Sequence, residues 1–459
     1  MKPIPVIAIF DVGKTNKKLF LFDEDYQIVY EKSARFIETI DEDGFPCENI
    51  DSLRQSVFDS LAEISRLKQF DVKAVNFSTY GASLVYVDAN GEPLAPLYNY
   101  LKPYPEELNK DIYDRFGGND AFAAATASPI LGSLNSGMQL LRLKREKAEI
   151  FNAVKYALHL PQYLSFLISG QFFSDITSIG CHTALWDFAQ NRYHEWVEQE
   201  GLTKKMAPIK KSDETIKANF AAQAFEVGIG LHDSSAALIP YLVSFHEPFV
   251  LISTGTWCIS MNPFNHSPLT DTELQNDCLC YLEFNGKPVK SSRVFSGYEH
   301  EQQVKRIAAH FGEDTIKFRA IAFDAEVGAA LRSKIPKGEP LDHLQKESNF
   351  KDRDLTQFEN DIEAYHQLII DLMQQQAYSL NMVLRGSSVK RIFVDGGFSK
   401  NAVYMNLLAI ALPDIEIFAA SMAQATAMGA ALAIHQSWNT KSVPGNIIAL
   451  KYYAQRKAN

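Results

Sequence analysis

The sequence predicts an α/β fold of two lobes, and three observations carry that expectation. Strands and helices alternate near the C-terminal end: RIFVD (391–395), a helical stretch from about 400 to 411, IEIFA (415–419) and a helix over 423–435. A strand–turn–strand unit at 4–23 is answered by another of the same layout at 249–261, which divides the chain into residues 1–245 and 246–459. The 459 residues are 46% hydrophobic and 22% charged, enough apolar material for two cores.

Taken in order, residues 4–10 (IPVIAIF) are apolar and rich in β-branched types, and read as a buried strand ending at Asp11. A polar turn, Val12 to Lys18, leads to LFLFD (19–23). VKAVNFS (72–78) and LVYVD (84–88) repeat this plan around 79–83, and Asp88-Ala89-Asn90-Gly91 closes it as a turn. From about 120 to 200 the pattern is mostly helical. GMQLLRLKREKAEIF has helical apolar spacing, and YALHLPQYLSFLISG reads as a second helix that stops at Gly170. Residues 202–219, rich in Lys and weakly patterned, read as a surface connection. FVLIS (249–253) and WCISM (257–261) are strands around Thr254-Gly255-Thr256, and the polar stretch 335–355 is a loop. A long helix from about 355 to 385 places Ile362, Tyr365, Leu368, Ile369, Leu372 and Met373 on one face, with Gly386 at its C-terminal cap.

A net charge of −10 argues against nucleic acid or an anionic membrane as partner, since either needs a concentrated basic surface. Five cysteines, at 47, 181, 258, 278 and 280, are too few and too scattered for a disulfide framework. Cys278 and Cys280 form a C-x-C with no second Cys/His pair at a zinc spacing, so no metal site is expected there. The first apolar run is broken by Asp11 without a small-residue cleavage site, and no run of about 18 apolar residues occurs. A cytoplasmic protein is expected.

Four turns carry groups suited to a nucleotide and its acceptor. In Asp11-Val12-Gly13-Lys14-Thr15-Asn16-Lys17-Lys18, Gly13 permits a close backbone approach to phosphate, Thr15 and Asn16 can donate, and Lys14, Lys17 or Lys18 can neutralise charge. Asp11 can hold Mg²⁺, directly or through water. The spacing is not that of a Walker loop. Thr254-Gly255-Thr256 offers amides and hydroxyls to a terminal phosphate. In Asp395-Gly396-Gly397-Phe398-Ser399-Lys400-Asn401, the paired glycines let a ring or ribose lie against the main chain; the plain alternative is a turn capped by Ser399. The fourth turn, Gly228 to Leu238, presents His232 and Asp233 before a helix of small residues, where Asp233 or Ser234 also fits as a simple cap. Each turn alone suits an ordinary hairpin or helix start. Their order is the distinguishing feature.

That order resembles the FGGY carbohydrate kinases of the actin–Hsp70–sugar kinase superfamily, over nearly the whole chain. The family's Asp-x-Gly-Thr-Thr-like turn, its Gly-Asp or His-Asp turn, its Thr-Gly-Thr turn and its late Gly-Gly turn all have counterparts here. ATAMGAALAI (425–434) resembles its late small-residue helix. Within the family the likeness is greatest to the rhamnulokinase branch, through His232-Asp233-Ser234-Ser235 and Thr254-Gly255-Thr256-Trp257. Three departures stand out. Lys14 occupies a position that is usually small, Lys18 replaces a frequent Arg, and Gly81-Ala82-Ser83 lacks the residues used by xylulose and glycerol kinases.

The resemblance implies a two-lobed actin-like (ribonuclease H-like) ATPase fold with the active site in the interlobe cleft. It implies ATP and Mg²⁺ as cofactors, with Asp11 at the metal. Gly13, Lys14, Thr15, Asn16, Lys18, Thr254, Gly255, Thr256, Gln302, Gly396, Gly397 and Asn401 would lie along the nucleotide. Gly81, Ala82, His232, Asp233 and Ser234 would meet the sugar, with Asp233 as the base. The implied partners are a small sugar and ATP, with the chain a monomer or homodimer. The competing readings are a pentulose or polyol kinase, a homologue that binds without turnover, and a chaperone- or actin-like ATPase. Intact Asp11 and Asp233 speak against the second, and the absence of a peptide-binding or filament-forming segment against the third.

Overall fold

Period-two alternation sorts the first strand's side chains onto two faces, and that sorting layers the first lobe. In β1 (Ile4–Val12), Val6, Ala8, Phe10 and Val12 enter one core while Ile7 and Ile9 enter another. The computed structural model describes residues 2–14, 16–35, 38–221, 223–334, 348–422 and 424–454. β1 pairs antiparallel with β2 (Lys17–Asp23), which pairs antiparallel with β3 (Ile28–Ala34). Helix α1 (Ile50–Arg66), capped by the Asn49 side chain, lays Leu53, Val57, Leu61 and Ile64 on the first face. β4 (Phe70–Thr79) returns parallel to β1. Helix α2 (Leu160–Ser169) then covers the same face, and β5 (Thr215–Phe220), β6 (Gln223–Gly228) and the short β7 (Leu231–His232) complete the sheet. Its order is β5-β6-β4-β1-β2-β3, with β7 on the end of β4. Helix α3 (Asp233–Ser244) leads out of this sheet.

The second sheet repeats the plan. β8 (Phe249–Thr254) pairs antiparallel with β9 (Cys258–Asn262), and β10 (Cys278–Leu282) and β11 (Pro288–Val294) extend that side. Helices α4 (Ser296–Phe311) and α5 (Asp361–Leu384) pack on one face. β12 (Arg391–Gly396) returns parallel to β8, followed by α6 (Ala402–Ala411), β13 (Glu416–Ser421), α7 (Ala425–Ala433) and β14 (Ala449–Tyr453). The order is β10-β11-β9-β8-β12-β13-β14. The run β11-β9-β8-β12 therefore has the same strand senses as β3-β2-β1-β4. Val250 and Ile252 of β8 enter one core, Phe249 and Leu251 the other.

Two helices cross the division at 245. The α3 residues Ala236 and Ile239 pack with Ile7, Ile9, Phe20 and Phe22 of the first sheet. Leu238 and Tyr241, on the other side of α3, pack with Phe249, Leu251 and Phe393 of the second. Helix α7, late in the chain, lies against α3, β1 and β4 and fills the first lobe's open face with Ala427, Ala430 and Ala431. Gly429 makes this possible: a Cβ there would sit 1.8 Å from the Ala236 carbonyl oxygen.

Four expectations are revised. Tyr156–His159 is a strand paired with Leu84–Val87, and only from Leu160, with Pro161 in the first turn, does the helix begin. LVYVD consequently leaves the first sheet, through a turn in which Ala82 takes φ 60°. The Lys-rich stretch contains β5, an edge strand whose exposed Lys217 and Asn219 weaken its apolar pattern. The long helix starts at Asp361, after the Asn360 cap, and Gly386 at φ 76° follows its end. Most of the expected loop 335–355 (residues 335–347) lies outside the described residues.

Candidate active site

Asp11 lies in the sheet one residue before the end of β1, paired with Lys18 of β2 and Ser78 of β4. Burial, and then the charge of Asp233, push its carboxyl up to about 7, against the pull of Lys18. Asp233 is the first residue of α3, where the helix N-terminus favours an anion. Its Oδ1 accepts from the Ser234 amide at 2.6 Å and the Ser234 hydroxyl at 3.3 Å. These bonds offset burial only in part, and its carboxyl is pushed up to about 6 although 35% of the side chain stays open. Neither Asp233 nor Ser234 is the cap, since His232 occupies that position.

Two carboxylates raised mainly by burial, Asp11 further by the charge of Asp233, are a donor set suited to a hard divalent cation, which prefers oxygen and favours their charged forms. Asp11 therefore fits Mg²⁺. Without the cation the pair opposes folding at high pH. The Asp11 carboxyl sits near 3.8 when unfolded and about 7 when folded, so the folded state loses stability as pH rises from 4 through 7. Asp11→Asn is expected to stabilise metal-free protein at pH 8 by on the order of 1 kcal/mol, about 1 °C in melting temperature for 459 residues, and to change it little at pH 4. Equal shifts at both pH values in thermal melts would contradict this account.

The other face of Asp233 meets a packed pocket. His232 Nε2 lies 3.2 Å from Asp233 Oδ1 and 3.0 Å from Cys181 Sγ. A Cβ on Gly81 would stand 2.7 Å from Cys181 Sγ and 3.1 Å from His232, so glycine alone fits. Ala82 next to it is held by Gln139, whose Nε2 donates to the Ala82 carbonyl at 2.6 Å. Tyr281 of β10 brings its ring within 5.5 Å of His232, and His182 stands 6.2 Å from both rings. Burial holds His232 and His182 neutral, down to about 3.

Near the second sheet's turns lies a cavity of about 450 Å³. Thr254, Gly255, Gly397 and Asn401 line it, all named from the sequence. Its walls are interlocked backbone. Gly396 at φ 88° leaves no room for a Cβ, which would fall 2.0 Å from the Thr254 carbonyl oxygen, and a Cβ on Gly297 would fall 1.8 Å from the Gly255 carbonyl oxygen. The Gly397 amide donates to Thr254 O at 2.9 Å, and the Phe398 amide to Thr254 Oγ1 at 3.0 Å. Asn401 caps α6 through the Tyr404 amide and donates to the Tyr365 hydroxyl, which also meets His300 Nε2 at 3.0 Å. Ser399, the expected cap, instead donates to the Gly396 carbonyl. Tyr241 of α3 donates to Asp395 Oδ2 at 3.1 Å. One helix therefore spans from Asp233 to the cavity's rim, about 12 Å at 1.5 Å per residue.

Other named residues make bonds outside these two groups. Lys14 pairs with Glu38 and Glu48, Lys17 with Glu48, and Lys18 with Glu31. The Asn16 carbonyl accepts from the Gly13 amide, closing the turn at 2.9 Å. The Thr256 carbonyl accepts from the Tyr298 amide. Gln302 is exposed on α4, while Gly297 and His300 of that helix line the cavity. Thr15 lies outside the described residues. Sequence reasoning missed Cys181, His182, Tyr281, His300 and Tyr365. The one available signal was Gly180-Cys181-His182-Thr183, a polar break in a stretch read as helical.

Residues 6–239 match the N-terminal domain of the FGGY family of carbohydrate kinases, and residues 246–442 match the carbohydrate kinase FGGY C-terminal domain. Rhamnulokinase of Halalkalibacterium halodurans is 21% identical over 258 residues, 54% of each chain. L-fuculokinase of Escherichia coli is 23% identical over 269 residues, 56% of each. The chain thus spans about half the length of the curated relatives it matches. The fold is that of a carbohydrate kinase from Novosphingobium aromaticivorans (TM-score 0.82, 23% identity, 99% of this chain and 95% of that one). It is also that of a ligand-bound xylulose kinase from Lactobacillus acidophilus (TM-score 0.77, 16% identity, 98% and 94%). Among the described residues no helix is long and apolar enough to cross a membrane. With both domain signatures in order on a two-lobed actin-like scaffold, the chain belongs to the FGGY family of carbohydrate kinases.

Proposed function

We propose that this chain transfers the γ-phosphoryl group of ATP to a hydroxyl of a small ketose or deoxyketose, of the kind of L-rhamnulose or L-fuculose, with Asp233 as general base. The observation that carries this reading is the placement of Asp233, with His232 3.2 Å away and Asp11 within electrostatic reach. Residues 1–245 supply the sugar side and the base, and 246–459 the nucleotide side. The names of the relatives support a sugar acceptor and leave its stereochemistry to experiment.

Asp233 takes the proton of the attacking hydroxyl as the new O–P bond forms and the bond to the bridging oxygen breaks, releasing ADP. In a loose transition state the proton leaves late, so a carboxylate suffices. Neutral His232 orients the sugar, and Gly81 leaves room for His232 and Cys181 to pack beside it. Thr254, Gly255 and the Gly396-Gly397 backbone hold the nucleotide, with the His300–Tyr365–Asn401 chain shaping the cavity. Asp11 would hold Mg²⁺, which neutralises phosphate charge when bound.

A base must be ionised to act. Because Asp233 titrates at about 6, kcat/KM should fall about tenfold per pH unit below that value and level off above it. A pH profile flat down to pH 4 would remove Asp233 from this role. The functional test is ADP release from Mg-ATP across ketoses, aldoses and polyols. A large stimulation by one ketose supports the proposal. No stimulation with ATP still bound makes the chain a binding homologue.

A further inference from the structure

Among the described residues, one group of three metal-capable side chains gathers its donor atoms at a point: Cys181 Sγ and one ring nitrogen each of His182 and His232, all within 4.8 Å of one another. The mechanism above uses only His232, and for another purpose. We propose that Cys181, His182 and His232 form a site for a thiophilic divalent metal, Zn²⁺ above all, whose occupation shuts the sugar pocket.

The hydrogen bonds around the two imidazoles carry the argument. His182 Nδ1 lies 3.1 Å from the Leu134 carbonyl oxygen, which can only accept, so Nδ1 bears the proton and Nε2 keeps its lone pair. Ser235 Oγ donates to the Leu282 carbonyl at 3.1 Å, which leaves it to accept from His232 Nδ1 at 3.4 Å. His232 is thereby fixed in the same tautomer, with its Nε2 lone pair 3.0 Å from Cys181 Sγ. A second group anchoring the far nitrogen is how proteins orient imidazole toward a metal.

The same Nε2 also faces Asp233 Oδ1 at 3.2 Å, two acceptors that only a proton or a cation can reconcile. One thiolate and two imidazoles, with a carboxylate or water in the fourth position, make a tetrahedral set that selects zinc or cobalt over magnesium. On binding, Cys181 gives its proton to solvent and its sulfur to the metal. Occupation takes His232 away from the sugar and places a cation beside Asp233. That effect on turnover rests on the proposed kinase reading; the binding does not.

The test is a titration of chelator-treated full-length protein with Co²⁺, read by absorbance and needing no turnover. One equivalent should bind with a near-ultraviolet thiolate-to-cobalt band and visible tetrahedral bands, displaced by Zn²⁺ and untouched by excess Mg²⁺. Cys181→Ser should abolish the thiolate band, and His182→Gln should weaken affinity at least about 10-fold. The site is overturned if no thiolate band forms or if the band persists in Cys181→Ser. Should that variant fail to fold, unchanged cobalt affinity in His182→Gln overturns it as well. Cobalt binding by a chain that phosphorylates no sugar even when metal-stripped and given Mg-ATP counts against the kinase reading alone, whereas full turnover at saturating Co²⁺ overturns the closing of the pocket.

Discussion

Asp233→Ala is expected to lower turnover by about 10²-fold or more while ATP affinity holds within about twofold. The side chain sits 3.2 Å from His232 and does not line the cavity at the second sheet's turns, where the nucleotide is proposed to bind. Its loss removes the proton acceptor and leaves Thr254, Gly255, Gly397 and Asn401 in place. Stability should not fall with activity, because removing a desolvated carboxylate also relieves Asp11. Single-turnover rates, nucleotide titrations and thermal melts separate these effects. Near-normal phosphorylation by the variant would sink the mechanism. A melting temperature several degrees lower would show that the carboxylate is structural.

The second large effect is expected at a residue that touches no substrate. Gly429→Ala places a methyl group 1.8 Å from the Ala236 carbonyl oxygen, a backbone atom that cannot swing aside. Helices α7 and α3 must separate. Overpacking of this kind costs about 3 kcal/mol. For 459 residues that lowers the melting temperature by about 3 °C. Ala236 lies one turn after Asp233, so turnover should drop too, with the acid limb of the pH profile displaced as the surroundings of Asp233 loosen. Calorimetry and the pH–rate profile together check this. An unchanged melting temperature would mean that the helices do not meet as described.

Much of the scaffold was legible because each lobe is built from buried strands that end in turns. IPVIAIF, FVLIS and RIFVD are apolar on both faces, and Asp11, Thr254 and Gly396 mark the points where each strand gives way to polar chemistry. Those punctuation residues also located much of the candidate site. Illegible were the pairings set by tertiary packing. Tyr156–His159 was read within a helix because its apolar run is short and Pro161 is compatible with either side of a helix start. β5 hides because an edge strand shows solvent alternate side chains. His182, Tyr281 and Tyr365 reach the site from segments 100 or more residues distant from Gly81, and no local pattern announces such a convergence.

The route of α7 has a consequence for how the protein is made. The first sheet buries Ile7, Ile9, Phe20 and Phe22 under a helix that begins only at Ala425. On the ribosome, α3 can cover part of that greasy face early, but the part under α7 stays uncovered until more than nine-tenths of the 459 residues have been translated. Synthesis must therefore carry an unfinished, aggregation-prone half-shell for most of its duration, and a fragment ending at residue 245 should be captured by holding chaperones rather than released as a free lobe.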